Sequence, residues 1–340
     1  QKPFKFPPPD GFQPLNTANN RPVNVISRPD QYVGISTWNG TGTLGTRSIS
    51  HNFKFKPDFI WAKERNGGSS HALFDSVRGY GSNNVLCSNN KNPAGTSNGG
   101  YIDSVSTSSI TWAQGSSTGE FYDASSKNYV AWCWRAGGDK NTFNKDDVGY
   151  ASAAAAGLTA GTITPVGSSV GTKQGFSIIQ YQGNGSSGAQ VPHGLTQTPD
   201  FTIIRAIDDV TDDSWFVAGN WAPGYGRLLL HTGDADNGSP GNVVANELWN
   251  NTAPTSSVVT LGSYNGLNDS GDDFIMFNWH NVPGLQKFGT YTGESALNYV
   301  ELGFRPALII LKNQSNSSYT SYTYFATDVY RSNEVGVHES

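Results

Sequence analysis

Charge is the scarcest feature of this sequence: only 14% of its 340 residues are Asp, Glu, Lys or Arg, about half the usual share. Long amphipathic helices draw on Lys, Glu, Arg and Leu, so an α-rich fold is excluded. The formal net charge of -5 offers no basic face to neutralise phosphates, which argues against nucleic acid as a partner. No apolar run approaches about 18 residues, so no membrane insertion is expected. The 2 cysteines are too few for a disulfide framework, and Cys133, inside Ala131-Trp132-Cys133-Trp134, is expected to be a buried free thiol. Gln1 in place of Met reads as a trimmed chain or a piece of a longer one.

What the chain has instead is glycine (40) and aromatic residues (9 Trp, 15 Tyr, 17 Phe), arranged in a repeat. Tyr32–Gly40 is followed by Phe55–Lys63 (Phe-Lys-Pro-Asp-Phe-Ile-Trp-Ala-Lys). Gly175–Gly183 is followed by Gln197–Arg205 (Gln-Thr-Pro-Asp-Phe-Thr-Ile-Ile-Arg), and Gly284–Gly293 by Phe304–Lys312 (Phe-Arg-Pro-Ala-Leu-Ile-Ile-Leu-Lys). Each copy is an alternating or apolar run, a polar turn, then a proline opening a β-branched run, as proline does at the first residue of a strand. Two copies end in aromatic-rich runs, Tyr129–Trp134 and Phe274–Trp279, about 77 and about 80 residues after Pro57 and Pro199. Apolar residues at nearly every position of those runs predict strands covered on both faces. The third copy reaches Ser340 before any such run, and reads either as half a unit or as one that continues beyond the sequence given.

The expected fold class is all-β, a tandem array of antiparallel β-sandwich repeats of jelly-roll or concanavalin-like type. Residues 1–27 read as an N-terminal arm ending a preceding β domain, 28–137 as the first repeat, and 175–283 as the second. Residues 284–340 read as a third half-repeat packed on the second. Between them, 138–174 is rich in Gly, Ala and Ser and reads as a linker with one helical turn.

Phe55–Lys63, Leu73-Phe74-Asp75-Ser76-Val77-Arg78-Gly79 and Tyr129–Gly137 together resemble a repeated domain of marine bacteriophage virion proteins, the tail-associated and fibre-like polypeptides of cyanophage and pelagiphage type. Val191-Pro192-His193-Gly194-Leu195 and Leu248–Ser257 look like that family's second unit. Phe4–Asn16 looks like the last strand of the SPRY-like, concanavalin-like domain that often precedes it. The resemblance runs from about residue 4 to about residue 335. It implies a phage appendage or surface protein that oligomerises, and it implies no catalytic residues. The second copy departs from the pattern by lacking Asp75-Ser76-Val77-Arg78, which Asp328-Val329-Tyr330-Arg331 partly restores in the third.

Catalytic and metal chemistry leave little local trace. The 6 histidines lack metal-ligand spacing, and His193 reads as part of a turn. No Gly-x-Ser-x-Gly elbow occurs. Asp208-Asp209, Asp212-Asp213 and Asp272-Asp273 could supply a glycosidase's carboxylate pair, although acids at strand ends usually cap turns. Asp234-Ala235-Asp236-Asn237-Gly238 has a calcium-like look but the wrong register. The expectation is therefore no catalytic residue, no metal and no cofactor. The aromatic excess is more suggestive: Trp215, Trp221, Tyr225 and Trp249, with Asn250, have the composition of a glycan platform, and equally that of a sandwich core. The Tyr319–Phe325 run reads as a half-exposed strand whose outer tyrosines serve an interface.

The leading functional expectation is a non-enzymatic phage virion structural protein, a fibre, spike or surface appendage on the particle exterior. Its expected partners are further copies of itself (a trimer being one form), other virion proteins and host-surface glycans. The alternatives are a carbohydrate-binding module or glycan-active enzyme on a lectin-like sandwich, and a secreted bacterial adhesin.

Overall fold

The computed structural model describes residues 26–43, 45–89, 92–95, 99–115, 119–208, 215–219, 228–229, 243–295, 299–311 and 324–326. Pro57 and Pro199 each stand just before a strand, with one aspartate between. The first unit holds β1 (Val33–Asn39), β2 (Arg47–Ser50), β3 (Phe59–Glu64), β4 (Ala72–Asp75), β5 (Tyr101–Val105), β6 (Ser109–Ala113) and β7 (Asn128–Trp134). They form two antiparallel sheets, ordered β1-β7-β3-β4 and β2-β6-β5.

The next strands are β8 (Phe143–Lys145), β9 (Val148–Tyr150), β10 (Gly167–Gly171), β11 (Phe176–Gln182), β12 (Ala189–Pro192), β13 (Phe201–Ala206), β14 (Phe216–Gly219), β15 (Leu228–Leu229), β16 (Val258–Leu261) and β17 (Asp273–Trp279). Two short helices, α1 (Val243–Trp249) and α2 (Asn265–Asn268), accompany them. All but β12 and β16 join one sheet, ordered β15-β14-β13-β17-β11-β10-β8-β9, while β12 pairs with β16. The stretch β11-β17-β13-β14 repeats β1-β7-β3-β4 strand for strand. Register repeats as well: Val33 and Phe59 both face Trp134, and Phe176 and Phe201 both face Trp279. The described residues are thus all-β, in antiparallel sandwiches, with a single parallel pairing between β8 and β10.

Strand alternation then sorts the side chains into three cores. Ile60, Phe74, Tyr129 and Cys133 point from one face of the first sheet toward Ile49, Ile102, Ile110 and Trp112 on β2, β5 and β6. From the other face, Phe59, Trp61, Trp132 and Trp134 meet Phe176, Ile178, Ile203, Phe277 and Trp279 of the large sheet. That sheet's far face packs under β12, β16, Leu248, Trp249 and Leu267. Among the described residues the result is four β layers around three large cores, the middle one shared by both units, with a small separate cluster of Ile26, Tyr32 and Val282. Phe59 and Phe277 lie with ring centroids 4.7 Å apart, and Phe176 stacks on Trp279 at 4.7 Å.

The structure corrects the reading of 138–174 as a linker. This segment supplies β8, β9 and β10 to the large sheet, and Ser168 and Ser169 are fully buried. Small residues are there because backbones approach closely: a Cβ on Gly137 would lie 2.5 Å from the Val170 nitrogen. The one helical turn is present at Ser152–Ala156, with the Ala156 N–H donating to the Ser152 carbonyl, and it tucks Ala153, Ala156 and Leu158 into the outer core.

Residues 284–340 lean on the second unit through Phe288, which stacks on Phe201 at 5.3 Å, and through the Gln286 amide, which donates to the carbonyls of Gln174, Gly175 and His280. Their strands β18 (Ile309–Leu311) and β19 (Tyr324–Ala326) form a separate two-stranded sheet. The arm at 1–27 lies outside the described residues except for its end, where the Ile26 N–H donates to the Pro283 carbonyl.

Candidate functional site

The proposed glycan platform is not assembled as a platform by the residues the structure describes. Trp215 is fully buried in the middle core, its indole N–H donating to the Cys87 carbonyl at 2.9 Å. Trp249 is buried in the outer core, on the opposite side of the large sheet. No one sugar ring can rest on both. Trp221 and Tyr225 lie outside the described residues, as does the calcium-like loop at 234–238. Asn250 follows α1 with a left-handed backbone (φ 51°), and its side-chain oxygen accepts from the Ser187 hydroxyl at 2.9 Å. Large aromatics filled the cores, the alternative that composition left open.

Polar chemistry concentrates at the joint between the units. Asp58 follows Pro57, and its N–H extends the sheet by donating to the Trp134 carbonyl at 2.8 Å; Asp200 does the same to Trp279 at 2.8 Å. Each carboxylate then accepts from the backbone two residues beyond that tryptophan, Asp58 from Ala136 at 2.7 Å and Asp200 from Asn281 at 2.6 Å. Asp58 also accepts from Gly138 at 3.2 Å. Ser169 takes the Gly137 N–H and donates to the Gly138 carbonyl, while the Gln174 amide donates to Arg135 and Ala136. The chain leaving the first unit is thereby held on the second. Burial pushes the Asp58 carboxyl up to about 6 despite these donors.

A second equivalence is readable in the repeats: the sixth residue after each proline is basic, Lys63, Arg205 and Lys312. Lys63 and Arg205 are both buried. Lys63 donates to the carbonyls of Gly67 and Ser69, and Arg205 to that of Asn92, with Arg205 also over the Trp215 ring at 5.7 Å. In each unit a buried cation near the end of the proline-opened strand thus fixes loop carbonyls. Lys312 lies outside the described residues.

Several other titratable groups fix turns. Asp75 and Arg78 form a buried ion pair at 2.6 Å, in which Arg78 also holds the Asn84 carbonyl and Asp75 accepts from Val77 and Arg78 N–H groups. His193 is buried, accepts from the Leu195 N–H through Nδ1 and lies 3.2 Å from the Thr255 carbonyl through Nε2; burial lowers it to about 4. Asp208 accepts from the Asp273 N–H, and burial raises the Asp273 carboxyl, with the Asp208 charge adding to it. Among the described residues no group of His, Cys, Asp and Glu has the geometry to hold a metal.

The described residues leave one conspicuous apolar edge. Ile309, Ile310 and Leu311 of β18 are 36%, 37% and 37% exposed, whereas every residue of β3, the corresponding strand of the first unit, is buried.

Fold and joint together define a tandem β-sandwich protein whose polar groups secure loops and inter-unit contacts. The chain belongs to the family described as Domain of unknown function (DUF7483), whose profile matches residues 28–339. No curated protein and no solved structure matches the chain.

Proposed function

We propose that the chain is a non-enzymatic structural protein of a phage virion, a module of a fibre, spike or other surface appendage. Its work is assembly with copies of itself and with other virion proteins. The observation that carries this reading is the middle core: two sandwiches share one apolar layer, in which the Phe59 ring neighbours those of Trp134, Phe176, Phe277 and Trp279. An enzyme or transport protein built of two units commonly keeps a cleft or hinge between them. Here that space is packed with aromatic rings, which suits a part that bears load. The likeness of its motifs to marine phage virion repeats supports the same reading. Immunogold labelling of intact particles from a culture carrying the gene, using antibody against the purified chain, tests it. Gold on an external appendage is expected. Unlabelled particles with the antigen in the host cell fraction, or turnover of an oligosaccharide by the purified chain, would overturn it.

A further inference from the structure

Both units build the same turn after the proline-opened strand, and only the first adds reactive groups to it. Beyond β3 the Arg65 N–H donates to the Asn128 carbonyl at 2.6 Å, and beyond β13 the Ile207 N–H donates to that of Asp273 at 2.8 Å. One residue further on, the Asn66 side-chain oxygen accepts the Asn128 N–H at 2.8 Å, and Asp208 accepts the Asp273 N–H at 3.1 Å. Asn66 thus matches Asp208, and Lys127 matches Asp272, each just ahead of its closing strand. At the last residue of the proline-opened strand, Glu64 matches Ala206. The second unit makes the turn with Ala206, Asp208 and Asp272, so the turn itself needs neither the lysine nor the glutamate of the first.

Glu64, Asn66 and Lys127 share one place. Lys127 Nζ lies 2.5 Å from Glu64 Oε1, and the Ser69 hydroxyl donates to the other carboxylate oxygen. Glu64 is buried. Burial alone would raise its carboxyl, yet the hydrogen bonds from Lys127 and Ser69 prevail and hold it below its ordinary value. It is therefore a carboxylate, in position to take a proton from the lysine. The Asn66 carboxamide grips the backbone on either side of Lys127, its nitrogen donating to the Ser126 carbonyl at 3.0 Å and its oxygen accepting from Asn128. Gly67, joined to Asn66, lies against the ion pair: a Cβ there would sit 2.6 Å from Lys127 Nζ and collide with Glu64 Oε1. The Asn128 N–H on the carboxamide oxygen is placed to stabilise negative charge developing there.

We propose that Lys127 and Asn66 form an intramolecular isopeptide bond, with Glu64 as the general base. Glu64 takes a proton from the Lys127 ammonium. The freed amine attacks the Asn66 side-chain carbonyl carbon, and a carbon–nitrogen bond forms as the bond to the amide nitrogen breaks. That nitrogen leaves as ammonium, carrying two protons that began on the lysine, and Glu64 ends ionised as it began. The Lys127 side chain is 37% exposed, which gives the ammonium a way out. The bond ties the turn after β3 to the start of β7. A covalent tie of this kind suits the load-bearing role proposed above, but its chemistry does not depend on that role.

Electrospray mass spectrometry of the purified, folded full chain tests it. The expected mass is one ammonia below that of the sequence. A tryptic digest should show no cleavage after Lys127 and should yield a branched peptide joining residues 66 and 127. Lys127→Arg and Glu64→Gln should each return the full sequence mass with the circular dichroism of the parent, and the parent's own mass decides the matter whether or not these variants fold. A parent with the unmodified mass overturns the proposal. So does a deficit that survives Lys127→Arg or vanishes in mild alkali, since Asn66 and Gly67 would then have closed on themselves as a succinimide. Full linkage in Glu64→Gln overturns Glu64 as the base.

Discussion

Acidification from pH 6.5 to pH 4 should move two buried groups of this protein in opposite senses, and Asp58→Asn should separate them. Burial raises the Asp58 carboxyl from 3.8 to about 6. Folding therefore favours its protonated form, so its contribution is full below 3.8 and is lost as pH rises through about 6. Burial lowers His193 from 6.5 to about 4. Its contribution is full above 6.5 and is lost as pH falls through about 4. At about 1.36 kcal/mol per unit, each shift is worth about 3 kcal/mol, with opposite signs over nearly the same range. In the wild type the two largely cancel.

Asparagine at position 58 keeps a carbonyl to accept the Ala136 and Gly138 N–H groups but cannot titrate. Relative to wild type, the variant should lose about 2 kcal/mol on going from pH 6.5 to 4, the part of the 3 kcal/mol that this window spans. Urea unfolding followed by tryptophan fluorescence, in half-unit pH steps, measures it. Parallel stability curves for the two proteins would refute the reasoning, because they would mean that Asp58 is no less readily ionised in the fold than in the unfolded chain.

Further outcomes follow from the packing. Arg78→Ala leaves Asp75 buried without its partner and should lower stability by about 3–5 kcal/mol, read as a shift in urea midpoint. Trp249→Ala should cost about 3–5 kcal/mol in the same assay; full stability with lost affinity on a glycan array would instead return Trp249 to a sugar-binding role. The Cys133 thiol is fully buried and burial pushes it well above its ordinary range, so iodoacetamide should modify it only as the protein unfolds, at a rate that rises with urea. Alkylation under native conditions at the rate of a small thiol would contradict the packing of β7.

Much of the fold was legible because the sequence writes it twice. β7 and β17 stand out as runs apolar at nearly every position, which a strand covered on both faces needs, and the proline before β3 and β13 marks where each of those strands begins. Less legible was anything that depends on which faces meet. Trp215 and Trp249 look alike in the sequence, and strand placement alone sends one to the middle core and the other to the outer core. The glycines and serines of 138–174 look like a linker because small residues serve both flexible chain and tightly apposed backbone, and only the neighbouring strand distinguishes the two. Lys63 and Arg205 resemble exposed strand-end charges until the carbonyls they hold are seen, although their equal distance from Pro57 and Pro199 was a usable signal. Asp58 and Asp200 carried the same signal, one residue after the proline.

The central claim is that both units share one core, and the Phe59–Phe277 contact tests it most directly. The rings lie 4.7 Å apart, one from each unit. Phe59→Ala and Phe277→Ala should each cost about 3–5 kcal/mol, and a double-mutant cycle between them should show coupling of about 1 kcal/mol. Unfolding should remain one cooperative transition by tryptophan fluorescence and far-ultraviolet circular dichroism alike. Additive effects to within about 0.5 kcal/mol, with each variant melting its own unit in a separate transition, would contradict the account.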